Sequence, residues 1–179
     1  MNAPATSARR PPARKTAVRV PAKPAAPSRA AKAHATKIND YLTLYHAPPL
    51  ERISFIKYGV DAYDVYVLAR NMGTSQDNLM VTLGLPRSTI IRKAKGKARL
   101  SAEQSERVIG MARLVGQVEA MVAESGNPEG FDAAHWVNEW LDQPNPALDQ
   151  RRPAEFMDTV AGQEFVASLL AKAQSGAYA

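Results

Sequence analysis

The sequence predicts an all-α protein, and three observations carry that prediction. Apolar residues from position 38 onward recur at spacings of three and four. Gly59, Gly73, Gly84 and Gly96 fall where those apolar patterns stop, as helix terminators do. No segment reads as a strand, and no internal repeat is present.

Residues 1–37 stand apart from the rest. They hold nine Lys or Arg, six prolines and no Asp or Glu, with little apolar content beyond Ala, Val18 and Val20. Such a segment cannot bury enough surface to offset the entropy of ordering it, so a disordered basic arm is expected there. Its acid-free, Arg/Ala/Ser-rich start is similar in composition to an organellar transit peptide, but its prolines oppose the amphipathic helix such a peptide needs. The remaining residues suffice for one or two compact units. The predicted division is a first helical domain over 38–112 and a second over 113–179. Without cysteine there is no disulfide framework, thiolate nucleophile or Cys-zinc site. No run of about 18 apolar residues exists to span a membrane, and a cytoplasmic protein is expected.

Taken in order, "INDYLTLYHAPPL" is ambiguous, with a short helix that Pro48 and Pro49 would stop. "ERISFIKYG" reads as a short helix ending at Gly59. "DAYDVYVLARNMG" carries Asp61 and Asp64 where acids suit a helix N-terminus, and Val65, Leu68 and Met72 define one buried face. "TSQDNLMVTLG" opens with Thr74 and Asp77 in capping-box spacing and closes at Gly84. "PRSTIIRKAKG" starts at Pro86 and stops at Gly96. A long helix follows, with Ser101 and Gln104 as a second capping box. Its Val108, Met111, Val115, Val118 and Val122 form a short heptad-like seam, which fits a domain core better than a dimer zipper. Farther on, Trp136, Val137, Trp140 and Leu141 share a helical face, and Phe165, Leu169 and Leu170 define another. Between these faces lies "QPNPALDQRRPAEF", a proline-rich connector with an Arg151-Arg152 pair.

Two short helices separated by Gly84-Leu85-Pro86 have helix-turn-helix spacing, with Leu79, Leu83, Leu85 and Ile90 at the apolar positions that join them. Leu79 and Met80 are large where this motif usually has a small residue. The second helix places Arg87, Ser88 and Thr89 in its first turn, where recognition-helix side chains meet base edges. Arg92, Lys93, Lys95, Lys97 and Arg99 follow as candidate phosphate contacts. Charge is divided along the chain: Pro86 to Arg99 has six bases and no acid, whereas Leu100 onward has twelve acids against five bases. The basic part calls for a polyanion such as operator DNA, and the acidic part for a different partner. Nothing points to catalysis. His34, His46 and His135 are scattered outside any metal-site pattern, the acids are spread at helical spacings, and no glycine pattern cradles phosphate.

The ordered set Trp140-Leu141, Pro144-Asn145, Leu148, Pro153 with Glu155, Gly162, and Gly176 with Tyr178 resembles the toxin-binding domain of Xre/MbcA/ParS antitoxins from RES-Xre toxin–antitoxin pairs. The resemblance covers about Val60 to Ala179 and is strongest in the last 50 residues. Arg152 and Ala154 depart from the family's threonine and leucine. The resemblance implies a non-catalytic antitoxin without a cofactor of its own, whose partner is a RES-type toxin that consumes NAD or transfers its ADP-ribose. It also implies a homodimer whose complex with toxin represses its own promoter. Carried over by position, Gly176, Tyr178 and Ala179 would cover the toxin pocket, with Lys172 and Trp140 at its rim. Two other readings of the residues stay open: a stand-alone helix-turn-helix regulator, and a structural DNA binder led by the basic arm.

Overall fold

The computed structural model describes residues 37–126 and 128–174. Among them are eight α-helices and no strands: α1 Tyr41–His46, α2 Pro49–Tyr58, α3 Asp64–Asn71, α4 Gln76–Thr82, α5 Arg87–Lys95, α6 Ala102–Ser125, α7 Ala133–Asp142 and α8 Val160–Gln174. Two 3-10 turns, Pro146–Leu148 and Pro153–Phe156, join α7 to α8. The fold class is therefore the expected one. The arm over 1–37 lies outside the described residues except for Lys37.

The ambiguous segment after the arm is a helix. Asp40 caps α1 by accepting from the Thr43 N–H at 3.3 Å, and Ala47 turns extended ahead of Pro48, as residues before proline do. Pro49 then starts α2, and Gly59, at φ 87°, ends it. A Cβ on Gly59 would stand 2.8 Å from the Leu100 carbonyl oxygen, because the chain here pairs with the segment before α6. The Leu100 N–H donates to Val60 O at 2.8 Å and the Ala62 N–H to Ala98 O at 3.1 Å.

Two helix ends differ in detail from expectation. The cap of α4 is Ser75, whose Oγ accepts from the Asn78 N–H, and not Thr74. Thr74 is already committed to closing α3: its N–H donates to Ala69 O at 3.0 Å across the left-handed Gly73. Gly96 does end α5, but the left-handed residue is Lys97, at φ 51°. The Ala98 N–H reaches back to Lys93 O at 2.9 Å to close that end.

Helix α6 is the axis of the molecule. Its capping box forms as the spacing predicts, with Ser101 Oγ accepting from the Gln104 N–H and Gln104 Oε1 from the Ser101 N–H. Helices α1, α2, α7 and α8 all pack against it. Val108, Met111, Val115 and Val118 are buried inside this one chain, with Val122 packed at their edge, so the heptad-like seam is a core seam. The core is a single cluster running from Ile38 to Leu170, and α6 crosses position 112 without interruption. In α8 the core residues are Val166, Leu169 and Leu170. Phe165, assigned to that face by spacing, is 43% exposed and meets Phe156 edge-on at 5.9 Å between ring centroids.

Small and polar residues of α6 set how near its neighbours come. A Cβ on Gly116 would collide with the Tyr41 carbonyl oxygen, so α1 lies directly on the helix there. Ser105, fully buried, accepts the Val60 N–H at 2.9 Å. Buried Gln163 of α8 donates from Nε2 to Arg107 O at 3.1 Å and Met157 O at 2.9 Å. Gly116→Ala should destabilise the fold by about 1–3 kcal/mol, since the obstacle is backbone and cannot rotate away. Chemical denaturation measures this, and an unchanged midpoint would show that α1 has room to withdraw.

Candidate functional site

The helix-turn-helix is built by local chemistry. Leu83 and Gly84 close α4, and the Leu85 N–H donates to Met80 O at 2.8 Å across Gly84, which sits at φ 57°. Leu79, Leu83, Leu85 and Ile90 are all buried, as the spacing requires, and both Leu79 and Met80 fit into the core. From α6, the Arg107 guanidinium donates to Leu83 O at 3.2 Å and Gly84 O at 2.8 Å, so the turn's free carbonyls are capped by a side chain from outside the motif. Arg107 is itself held by Glu103 one turn away.

Six of the eight predicted DNA contacts lie on α5. Arg87 and Ser88 are exposed in its first turn and Thr89 is half-buried beside them. Arg87 Nε donates to Asp77 Oδ1 at 2.6 Å, which ties the first turns of α4 and α5 together on the surface. Arg92 and Lys95 are exposed in the last turn, and Lys97 is exposed just beyond. Lys93 is half-buried and donates to Gln104 Oε1 at 3.2 Å. Arg99 has a different setting. Its guanidinium lies 3.9 Å from the Tyr58 ring centroid and donates to Gly59 O at 2.6 Å, so it closes the end of α2.

Sequence reasoning missed the neighbours that complete this surface. Arg70, Gln76 and Arg87 line one open depression between α3, α4 and α5, of about 680 Å³. The available signal was that helix N-termini attract phosphate, which applies to α4 as much as to α5. Asp77 stands in the same depression, so Arg87 must leave or share this carboxylate to meet an anion.

In the C-terminal part, Asp132 caps α7 through the His135 N–H at 3.0 Å. Val137 and Leu141 are buried, whereas Trp136 and Trp140 are half-buried and stack on each other, 6.1 Å between centroids at 8°. Both tryptophans thus keep a ring surface at the protein exterior. The proline-rich connector is an ordered scaffold. Asn145 Oδ1 accepts from the Ala147 N–H at 2.9 Å, while the Asn145 N–H donates to Arg151 O at 3.0 Å. Asp149 and Gln150 turn the chain at φ 52° and 65°, and Leu148 is buried beneath the bend. Pro153, also buried, starts the next turn.

Arg151 and Arg152 converge on Glu155. Arg151 Nε donates to Glu155 Oε2 at 3.1 Å while its guanidinium lies over the Phe156 ring at 4.5 Å, and the Arg152 N–H donates to Oε1 at 3.1 Å. Lys172 is exposed near the end of α8. Gly176, Tyr178 and Ala179 lie outside the described residues. His135 faces Glu139 at 3.4 Å, two groups one turn apart. Among the described residues no cluster of three metal-ligating side chains exists, and no helix is long and apolar enough to cross a membrane.

The Arg152 N–H and then the Arg151 side chain hold the Glu155 carboxyl below its ordinary range. A carboxyl depressed in the folded state stabilises the loop above its unfolded pKa, and that contribution fades as pH falls through the lower folded value. In a carbon-detected NMR titration Glu155 should protonate below the usual glutamate range. A titration within that range would show that the clamp is not kept in solution.

Comparison with known proteins finds relatives for both the helix-turn-helix part and the C-terminal part of the chain. Residues 51–113 match the Antitoxin Xre-like helix-turn-helix domain, and residues 129–176 match the Antitoxin Xre/MbcA/ParS C-terminal toxin-binding domain. The chain is also 45% identical over 139 residues to the Prs ADP-ribosylating antitoxin of Sphingobium sp. (strain YBL2), covering 78% of this chain and 87% of that one. A capped helix-turn-helix and the Trp-Leu, Pro-Asn and Pro-Ala-Glu scaffold, joined by one long helix, place the chain in the Xre/MbcA/ParS family of antitoxins.

Proposed function

We propose that this antitoxin neutralises a RES-type, NAD-consuming toxin with its C-terminal domain, and that the pair represses its own operon through the helix-turn-helix of a homodimer. The carrying observation is that a DNA-reading motif and a toxin-binding domain are packed on the same helix, with Arg107 and Gln163 bonding across them. A relative named for ADP-ribosylation supports a partner that works on NAD or its ADP-ribose. The chain then needs no cofactor and performs no catalysis, because the chemistry belongs to the toxin. Operator binding and a toxin acting on NAD put both in the cytoplasm.

On the DNA side, Arg87, Ser88 and Thr89 read base edges, and Arg92, Lys93, Lys95 and Lys97 contact phosphates. Arg99 is left out of this set because its guanidinium serves Tyr58 and Gly59. The arm over 1–37 adds salt-sensitive, sequence-independent attraction. On the toxin side, Trp140 and Lys172 form the rim, and the chain beyond α8 delivers Gly176, Tyr178 and Ala179 to the toxin pocket. Tyr178 suits such a plug because its ring buries a large area with few rotors to freeze and its hydroxyl can still hydrogen-bond. The domain boundary follows function in this reading, with 38–112 serving DNA and 113–179 serving the toxin.

Arg87→Ala should weaken operator binding by about 1–3 kcal/mol and relax sequence preference. Lys95→Ala should instead weaken all sequences alike and reduce the salt slope by about one. Fluorescence anisotropy across a salt series separates the two, and equal effects on operator and random DNA for both variants would remove α5 as the reading helix. Co-expression with the neighbouring open reading frame should relieve growth arrest, and deletion of residues 176–179 should abolish that relief while leaving the helical signal intact. Full protection by the truncated chain would dismiss the plug. A neighbour without toxicity would favour a stand-alone regulator.

A further inference from the structure

One carboxylate stands in the surface proposed to face DNA. Between Pro86 and Arg99 the chain has six bases and no acid. Yet Asp77, from the first turn of α4, reaches the start of α5 and accepts from Arg87 Nε at 2.6 Å. Both side chains are exposed, Arg87 by 66% and Asp77 by 56%. An exposed ion pair adds little to stability, and α4 and α5 are already joined by the buried Leu79, Leu83, Leu85 and Ile90. The pair is therefore not what holds the motif together. It also opposes simple attraction to DNA, because a carboxylate beside the nucleic-acid backbone repels phosphate.

What the bond does is fix which edge of Arg87 faces outward. A guanidinium carries five donors in a rigid, planar fork. With Nε committed to Asp77, the end formed by Nη1 and Nη2 is left, and neither nitrogen donates to a group among the described residues. Two parallel donors of this kind match two adjacent acceptors. An unrestrained arginine at an exposed position swings to the nearest phosphate. Beside the Asp77 carboxylate an anionic oxygen is disfavoured, whereas an uncharged pair of acceptors is not. In the major groove the base that presents two acceptors is guanine, through N7 and O6.

We propose that Asp77 is a positioning residue for sequence reading. It holds Arg87 so that Nη1 and Nη2 meet N7 and O6 of one operator guanine, and it keeps Arg87 from acting as a phosphate clamp. This rests on the α5 reading proposed above and adds the base read and the residue that selects it. Asp77 then lowers affinity for DNA in general while raising the preference for operator over random sequence.

The test is fluorescence anisotropy of the full chain with three kinds of duplex: the operon's own promoter, a random sequence of equal length, and promoters with single G·C pairs replaced by A·T. The variants are Asp77→Ala, Asp77→Asn and Arg87→Ala, all at exposed positions, and circular dichroism should show unchanged folding. Asp77→Ala should bind random DNA about two- to threefold tighter. Its operator-to-random ratio should fall about fivefold or more, at the same G·C pair that Arg87→Ala ceases to read. Asp77→Asn keeps an acceptor for Nε without the charge, so it should gain general affinity and retain most of the ratio. A purely structural role for Asp77 would not separate the two variants in this way. An unchanged ratio in Asp77→Ala, with Arg87→Ala still blind to its G·C pair, overturns the positioning role and leaves α5 as the reading helix. Equal loss of the ratio in Asp77→Asn and Asp77→Ala overturns it as well. An Arg87→Ala variant that discriminates like the wild type overturns both the positioning role and the reading by Arg87.

Discussion

The structure depends on how closely other backbones can approach α6. This helix has 24 residues and so runs about 36 Å, long enough to pass through both halves of the molecule. Two of its positions are glycines at contacts where any side chain would collide, Gly110 against Gln163 and Gly116 against Tyr41. At the first, α8 comes near enough for Gln163 to donate to the Arg107 carbonyl. At the second, α1 lies flat on the helix, and its Tyr41 hydroxyl accepts from Asn71 Nδ2 of α3 at 2.9 Å. Those gaps let α1 and α8 approach α6 closely enough to share one core with it.

The same axis explains why the DNA-reading and toxin-binding parts are not independent beads. Arg107 caps the carbonyls of the helix-turn-helix with its side chain and accepts Gln163 with its own backbone. Gly84, at the tip of the turn, would meet both Arg107 and Asp158 if it carried a Cβ. The hinge into α8 therefore touches the turn that aims α5.

Much of the fold was legible in the sequence because its determinants are local. Leu79, Leu83, Leu85, Ile90 and Gly84 specify the helix-turn-helix within twelve residues, and Ser101 and Gln104 start α6 by bonding to each other across one turn. The shape of the proline-rich connector from Gln143 to Pro153 has similarly local causes. Its prolines and Asn145 shape the backbone by themselves, and Leu148 is buried as the bend implies. The misplacements were small and non-local in origin. Thr74 lost the cap of α4 to Ser75 because the end of α3 had claimed its N–H. Phe165 lost its core place to Val166 because the position of α8 against α6 is set by Gln163 and not by the apolar count.

The charged residues show most clearly what pattern alone could and could not determine. Spacing and composition determined where helices start and stop, which faces are apolar, that bases gather around α5 and that acids gather after it. Only the tertiary structure decided which charges are committed inside the fold. Arg99 lies over Tyr58, Arg107 holds the helix-turn-helix turn and Arg151 clamps Glu155, whereas Arg92 and Lys95 stay exposed and Arg113 keeps a buried donor unmet. The reason is physical. Backbone conformation answers to neighbours within a few residues, but a long cationic side chain answers to whichever carbonyl, ring or carboxylate the packing brings within its reach.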